Sequence, residues 1–259
     1  MTPPAGWGLR RAVARRFPAP AAVAADPAHA GRLATYLTDL LSPYGLALGT
    51  ATVAGQSYGE MAVALLADLG DDALADALVL AYDIPDVEPG RATATYLSHV
   101  CPGDPMAFAV SDQGRAGAYT GLRLLRGHAR AVLLVVEQAE LPYDPGVPVL
   151  RPATHTGVAL TLGASTVDGV ETVLRPGAAP GDVLAELDRL APATVILGGG
   201  LSDVDVQAEK VLHADPDQPM TGVWSTLAEV WSPDAGRIAV ADYDPFLRYL
   251  CVSVFGAAT

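Results

Sequence analysis

Short apolar runs bounded by turn residues recur along the chain, as is typical of strands buried on both faces of a sheet. Such runs lie at residues 108–110, 131–136 and 194–197. Residues 154–163 alternate apolar and polar positions, which predicts a further strand, and residues 116–125 carry the spacing of a helix that packs on a sheet. The succession of strands and helices predicts an α/β protein.

The sharpest transition between two such elements is the polar turn formed by Ser111, Asp112, Gln113 and Gly114. It places a serine hydroxyl at a helix N-terminus, where unpaired backbone N–H groups and the positive end of the helix dipole stabilise an oxyanion. Ser111 is therefore a candidate nucleophile, and Asp112, Gln113 and Gly114 are candidates for holding the substrate or its oxyanion. Ser and Asp are also ordinary N-cap residues, so capping alone is the alternative interpretation.

The segment that contains this turn, residues 107–138, resembles the nucleophile segment of the thiolase superfamily, and of ketoacyl-ACP synthase III in particular. In that family a Cys follows a buried strand and opens a long central helix. Other segments resemble the family in the same order: residues 61–69 its amphipathic helix, 77–82 its next strand, 83–90 the following loop, and 236–242 with 249–254 its closing antiparallel pair.

The resemblance implies a thiolase-like α/β fold. Two similar halves, each a mixed β-sheet with helices, would form a layered α-β-α-β-α stack. The Pro-rich loop at residues 141–148 divides the chain into an N-terminal half, residues 1–148, and a shortened C-terminal half, residues 149–259. The resemblance also implies a dimer that pairs through the sheet near the nucleophile.

Three departures from the family pattern bear on the chemistry. Ser111 stands where the family has its Cys, residues 193–200 contain no His where the family has one, and residues 221–225 contain no Asn. A serine hydroxyl is a poor nucleophile unless a base lies within hydrogen-bond reach, roughly 2.6 to 3.2 Å. The sequence therefore argues against decarboxylative condensation and favours transfer of an acyl group to an alcohol or amine.

Four further residues are candidates for the site. His155 and His99 are candidate bases for Ser111, although each also suits an ordinary structural position. Cys101, two residues after His99, could form a reactive thiolate with it if the segment is extended. Glu137 ends a predicted strand, and burial there would raise the pKa of its carboxyl and make it a general base. A buried structural Cys and an exposed strand-end carboxylate are the respective alternatives.

Composition limits the class of protein. Of the 259 residues, 51% are hydrophobic and 17% charged, which suits one large α/β unit and excludes a disordered chain. A formal charge of −13 argues against nucleic-acid binding. The sequence offers no metal-ligand cluster and no apolar run long enough to span a bilayer. The Arg-rich residues 10–16 predict a first strand with exposed side chains rather than a targeting segment.

Two functional hypotheses follow from the resemblance. In the first, the chain is a ketosynthase-III-like acyltransferase of a biosynthetic pathway that takes its acyl group from acyl-CoA or the phosphopantetheine of an acyl carrier protein, with no other cofactor. In the second, it is a noncatalytic partner subunit, similar to a chain-length factor, of an active ketosynthase. We expect a cytoplasmic protein with Cys101 and Cys251 reduced, in a homodimer or a heterodimer.

Overall fold

The computed structural model describes residues 6–19, 26–49, 56–88, 92–141, 143–146, 149–165 and 169–256. The strands are β1 Trp7–Arg16, β2 Ala77–Ala81, β3 Met106–Val110, β4 Arg130–Glu137, β5 Thr156–Ala164, β6 Glu171–Pro176, β7 Thr194–Leu197, β8 Lys210–His213, β9 Ile238–Asp244 and β10 Tyr249–Phe255. The α-helices are α1 Pro27–Leu41, α2 Tyr58–Leu69, α3 Thr93–Val100, α4 Gly117–Leu125, α5 Val183–Leu190 and α6 Gly222–Val230.

The strands form two five-stranded sheets with the same internal plan. The first has the order β1-β5-β4-β2-β3 and the second the order β6-β10-β9-β7-β8. In each sheet the first three strands pair antiparallel and the last three parallel. The order of the second sheet is that of the first with every strand moved on by five, so the chain contains two structural repeats, as predicted.

Helices lie outside and between the sheets. Helices α2 and α3 pack on the outer face of the first sheet, α5 packs on the outer face of the second, and α4 and α6 each contact strands of both sheets. The result is the predicted α-β-α-β-α stack. The central layer holds the largest buried cluster, in which the rings of Tyr119 on α4 and Trp224 on α6 lie 4.8 Å apart.

Local sequence accounts for several of these elements. The side chain of Ser57 accepts the Glu60 N–H while the Glu60 carboxylate accepts the Ser57 N–H, a capping box that starts α2. Every residue of β2 is buried because the strand lies inside the first sheet with helices on both of its faces. Gly127, in the left-handed region at φ 93°, follows the end of α4.

The helix predicted at residues 116–125 is confirmed as α4, which follows a 3₁₀ turn at Gly114–Ala116. Two expectations are corrected. Strand β5, assigned to the C-terminal half, pairs with β1 and β4 in the first sheet, so the repeats divide between β5 and β6 rather than at residue 148. The segment before Cys101 is helix α3 rather than an extended strand.

The N-terminal arginines lie on a strand, as predicted. Strand β1 pairs antiparallel with β5, and Arg11 and Arg15 form exposed ion pairs with Asp72 and Asp68 at 3.3 and 3.2 Å. The small apolar residues 21–25, which after the Arg-rich stretch imitate a targeting segment in the sequence, lie outside the described residues. In the part of the chain that the structure describes, no helix is both long and apolar enough to cross a membrane.

Candidate functional site

A cavity of about 390 Å³ opens at the carboxyl ends of strands from both sheets. Asp83 follows β2, Glu137 ends β4 and Asp244 ends β9, and all three line the cavity. Apolar side chains form the remaining wall, among them Leu141, Val149, Leu150, Met220 and Phe246. Open α/β sheets bind ligands at the carboxyl ends of their strands, so this is the place where a site is expected.

The N-terminus of the helical segment after Ser111 has carboxylate partners from within the chain. The Gly114 N–H donates to Asp83 Oδ1 at 2.8 Å, and the Arg115 N–H donates to Asp244 Oδ2 at 3.1 Å. These are the N–H groups that the sequence analysis assigned to an oxyanion. Because they already donate to carboxylates, an oxyanion placed there would lose those donors and meet two negative charges.

Helix α6 is capped in the same way by Glu137. The carboxylate atom Oε1 accepts the N–H of Thr221, the N-cap residue of α6, at 2.6 Å, and also the N–H of Met220, the residue before it. Glu137 is 4% exposed, and burial raises the pKa of its carboxyl to about 8, although the hydrogen bonds from Thr221 and Met220 act in the opposite direction. Its second oxygen, Oε2, is buried and has no hydrogen-bond partner within the described residues.

The two capping arrangements are related by the structural repeat. Strand β4 in the first sheet corresponds to β9 in the second, and each ends in a carboxylate that caps the central helix of the other repeat. Glu137 of the first repeat reaches α6, and Asp244 of the second reaches the start of the segment that leads into α4. Each carboxylate thereby satisfies helix N–H groups that would otherwise be buried without acceptors.

Arg115, whose N–H donates to Asp244, also forms a buried ion pair through its side chain. The Arg115 guanidinium donates through Nη1 to both oxygens of Asp242, at 2.9 and 3.1 Å, and both side chains are less than 10% exposed. Asp242 also accepts the N–H groups of Tyr243 and Gly200. Burial raises the pKa of the Asp242 carboxyl, and Arg115 offsets part of that rise. Arg115 is thus committed to a carboxylate of the protein itself.

Ser111 and the three residues after it do not all face the cavity. The Ser111 hydroxyl donates to Asp112 Oδ2 at 2.7 Å, and Ser111 does not line the cavity. Asp112 does line it, whereas Gln113 accepts a hydrogen bond from the Thr120 hydroxyl at 2.6 Å on α4. The predicted substrate group is therefore divided, with only Asp112 and Gly114 at the cavity.

Neither histidine is a base for Ser111 in this structure, which corrects that assignment. His155 precedes β5, and three inter-strand spacings, about 14 Å, separate β5 from β3. There His155 Nδ1 accepts the Ala139 N–H at 3.1 Å. His99 is exposed near the end of α3, at the opposite end of β3 from Ser111, and the five residues of β3 span about 16 Å.

Cys101 has the environment of a structural thiol. Its Sγ donates to the Ala73 carbonyl oxygen at 3.4 Å, and burial raises the pKa of the thiol to about 11. A catalytic thiolate needs the opposite shift. Cys101 and Cys251 are both buried and free, as expected.

Gly114 opens the helical segment, three residues after Ser111, the position at which the resemblance puts the nucleophile. Its φ is +49°, and a Cβ added there would overlap Asp244 Oδ2. The backbone conformation favours glycine, and a side chain there would displace the Asp244 carboxylate. The helix-opening position therefore carries no side chain that could act as a nucleophile.

Sequence reasoning missed Asp83, Asp244 and the Arg115–Asp242 pair. Asp83 was read only as part of a loop, although it follows a buried strand, and Asp244 lies two residues beyond the predicted end of β9. Carboxylates at the carboxyl ends of strands were the available signal, since those ends meet at one edge of a sheet. No periodicity in the sequence indicates that these carboxylates cap helices of the opposite repeat.

Comparison with known proteins places the fold. The tetronic acid condensing enzyme AbyA1 matches with a TM-score of 0.60 at 15% identity, over 96% of this chain and 100% of the other. The acyltransferase ChlB3 matches with a TM-score of 0.59 at 13% identity, over 98% of each chain. OleA of Xanthomonas campestris matches with a TM-score of 0.55 at 14% identity, over 96% of this chain and 98% of the other. No family model matches the sequence, and no curated protein matches it.

These matches confirm the thiolase-like fold over nearly the whole chain. At 13–15% identity the likeness establishes the fold alone.

Glu137 is expected to make stability depend on pH. Its carboxyl binds a proton more tightly in the folded chain, with a pKa of about 8, than in the unfolded chain, near 4.5. Its contribution to stability is therefore lost as pH rises from 4.5 to 8. Between pH 5 and pH 8 this loss is about 3 kcal/mol. Urea unfolding of Glu137→Gln should accordingly show a shallower pH dependence than the wild type.

The control for this measurement is Glu229→Gln, since Glu229 is exposed on α6. Its pH dependence should match that of the wild type. Equal slopes for the wild type and Glu137→Gln would contradict the assignment of a buried, proton-binding Glu137.

Gly114→Ala should destabilise the fold by about 2 to 4 kcal/mol, because it adds both backbone strain and overlap with Asp244. Gly127→Ala is the matched control. Gly127 also has positive φ, but a Cβ there meets nothing within 4 Å, so about 1 kcal/mol is expected. Equal losses in denaturant unfolding would show that Asp244 does not occupy the space beside Gly114.

Proposed function

We propose that the chain is a ketosynthase-III-like protein of an acyl-thioester biosynthetic pathway that acts as a noncatalytic partner subunit of an active ketosynthase. The observation that carries this proposal is that the N–H groups of Gly114 and Arg115 donate to Asp83 and Asp244. An acyl intermediate at this turn would need those donors for its oxyanion. The sequence hypothesis of an acyl group on Ser111 is consequently the less supported of the two.

The open edge of the first sheet supports a partner role. Strand β3 is the last strand of that sheet and pairs only with β2 among the described residues. Its sequence is wholly apolar, yet Met106 is 55% and Phe108 41% exposed. Exposed apolar edge strands are templates for pairing with another chain. The family resemblance implies pairing at this place, because β3 is the strand that leads into Ser111.

Acyl transfer without a covalent intermediate is the second candidate function. The observation in its favour is Glu137, a buried carboxyl with a pKa of about 8 on the wall of the cavity. A group with that pKa can accept a proton from an alcohol or amine acceptor near neutral pH. In this alternative the thioester donor would be acyl-CoA or an acyl carrier protein.

The first test is intact-protein mass spectrometry after incubation with acetyl-, malonyl- and hexanoyl-CoA and with the same acyl groups on a carrier protein. We expect no adduct on the wild type or on Ser111→Ala, because Ser111 lies outside the cavity and neither His99 nor His155 is placed to reach it. An adduct on Ser111 that the variant lacks would establish a covalent acyltransferase and contradict the proposal. Release of free CoA without an adduct, dependent on an added acceptor, would instead favour noncovalent transfer.

The second test addresses the partner. The chain is co-expressed with a ketosynthase of the same organism that retains Cys, His and Asn, and complex formation is measured by size exclusion with light scattering. Phe108→Glu should weaken the complex at least tenfold, because it places a charge on the apolar edge. Leu184→Glu, equally exposed on α5 at 41%, should leave it unchanged. Absence of any complex, or equal effects of both substitutions, would count against pairing through β3.

A further inference from the structure

Two loops give the cavity between the repeats an apolar wall. The loop between β4 and β5 supplies Leu141 and Leu150, and the turn between β9 and β10 supplies Phe246 and Leu247. Asp244 holds that turn in place, because its Oδ1 atom accepts the N–H groups of Phe246 and Leu247 at 3.0 and 2.9 Å. Apolar side chains from two separate parts of the chain therefore face the same space.

The apolar surface continues from the wall to the mouth of the cavity. Phe246 is 71% exposed, and Leu150 and Leu247 are each 42% exposed. Large apolar side chains that lie together at the entrance of a cavity mark a binding surface. A ligand that fills the cavity and reaches its mouth would remove this surface from water, and that removal favours binding.

The charged groups of the cavity already have partners within the chain. Every carboxylate among the described lining residues accepts a hydrogen bond from the protein; these residues are Asp83, Asp112, Glu137 and Asp244. The Arg115 guanidinium donates to Asp242. A ligand therefore need not supply a charge. An anion would be repelled by the carboxylates, and an ammonium ion would give up its hydration for carboxylates that already have donors.

We infer that this cavity binds an uncharged ligand with an apolar chain, held without a covalent bond against the two loops. A volume of about 390 Å³ lies within the range typical of small-molecule sites. The inference goes beyond the proposed function. An uncharged ligand is neither acyl-CoA nor the phosphopantetheine thioester of a carrier protein, both of which carry phosphate, and the site exists whether or not the chain pairs with a ketosynthase.

Three methionines of the described residues report on binding in one spectrum. Met220 lines the cavity, Met61 is fully buried on α2, and Met106 is 55% exposed on β3. The test is NMR of the full chain, labelled with ¹³C at the Met methyl groups, during titration with 1-octanol at pH 7. We expect a saturable shift of the Met220 methyl signal, with the signals of Met61 and Met106 unchanged.

A series of ligands tests the chemistry of the occupant. Each buried methylene group contributes about a fourfold gain in affinity, so 1-octanol should bind roughly tenfold more tightly than 1-hexanol. Octanoate, with the same number of carbons and a negative charge, should bind at least tenfold more weakly than 1-octanol, and octylamine should bind no more tightly than 1-octanol. Equal affinities for the two alcohols, or tighter binding of octanoate or octylamine, would overturn the inference.

Matched variants identify the site. Leu150→Glu places a charge on the apolar wall and should weaken 1-octanol binding at least fivefold. Leu184→Glu makes the same change at an equally exposed leucine on α5, outside the lining, and should leave binding unchanged. Urea unfolding verifies that both variants are folded.

An unchanged affinity in Leu150→Glu, equal losses in both variants, or a shift of the Met106 signal in place of Met220 would show that the alcohol does not bind in the cavity. No acyl donor and no ketosynthase is present in these titrations. Their failure is therefore distinguishable from failure of the acylation and partner tests.

Discussion

The exchange of carboxylate caps between the two repeats is the interaction on which the rest of the structure depends. Glu137 at the end of β4 caps α6, and Asp244 at the end of β9 caps the segment that leads into α4. Both helices lie in the central layer between the sheets. Each carboxylate accepts N–H groups from the other repeat, so these contacts, together with the shared central core, hold the two halves in one relative position.

The same exchange decides what the site can do. A helix N-terminus stabilises an oxyanion only while its N–H groups are free to donate, and here they donate to Asp83, Asp244 and Glu137. The helix dipole is already compensated by these charges. Gly114 leaves no side chain at the helix-opening position, and Ser111 lies outside the cavity. The carboxylates that bind these helix ends also make the cavity between the repeats acidic, and it is on these contacts that the proposed noncatalytic role rests.

The sequence predicted the architecture better than the site. The buried strands are apolar along most of their length, so local patterns placed most of them correctly. Helix α1 was missed although Asp26 caps it and Pro27 stands in its first turn, a recognisable N-terminal signal. Strand β5 was assigned to the wrong repeat because pairing between strands distant in sequence leaves no local pattern.

The site could not be predicted because it is formed by contacts between residues that are distant in sequence. Glu137 was identified as a carboxyl that burial could activate, because it ends an apolar strand. Its actual partners, Met220 and Thr221, lie more than 80 residues away. His155 and His99 were chosen for their chemistry alone. The sheet order places His155 at a distance of three strands from Ser111, and the length of β3 separates His99 from Ser111. Residue type indicates what a side chain can do, but only the fold determines which groups face one another.

The central claim is that carboxylates of the protein itself occupy the N-termini of both central helices. Amide proton chemical shifts, followed by NMR from pH 5 to pH 9 on the isotopically labelled chain, test it most directly. The account predicts that the amide protons of Met220 and Thr221 lie downfield and titrate with a midpoint near the pKa of Glu137, about 8, and that Glu137→Gln removes this titration. Amide protons at Met220 and Thr221 that neither shift with pH nor respond to the substitution would contradict it.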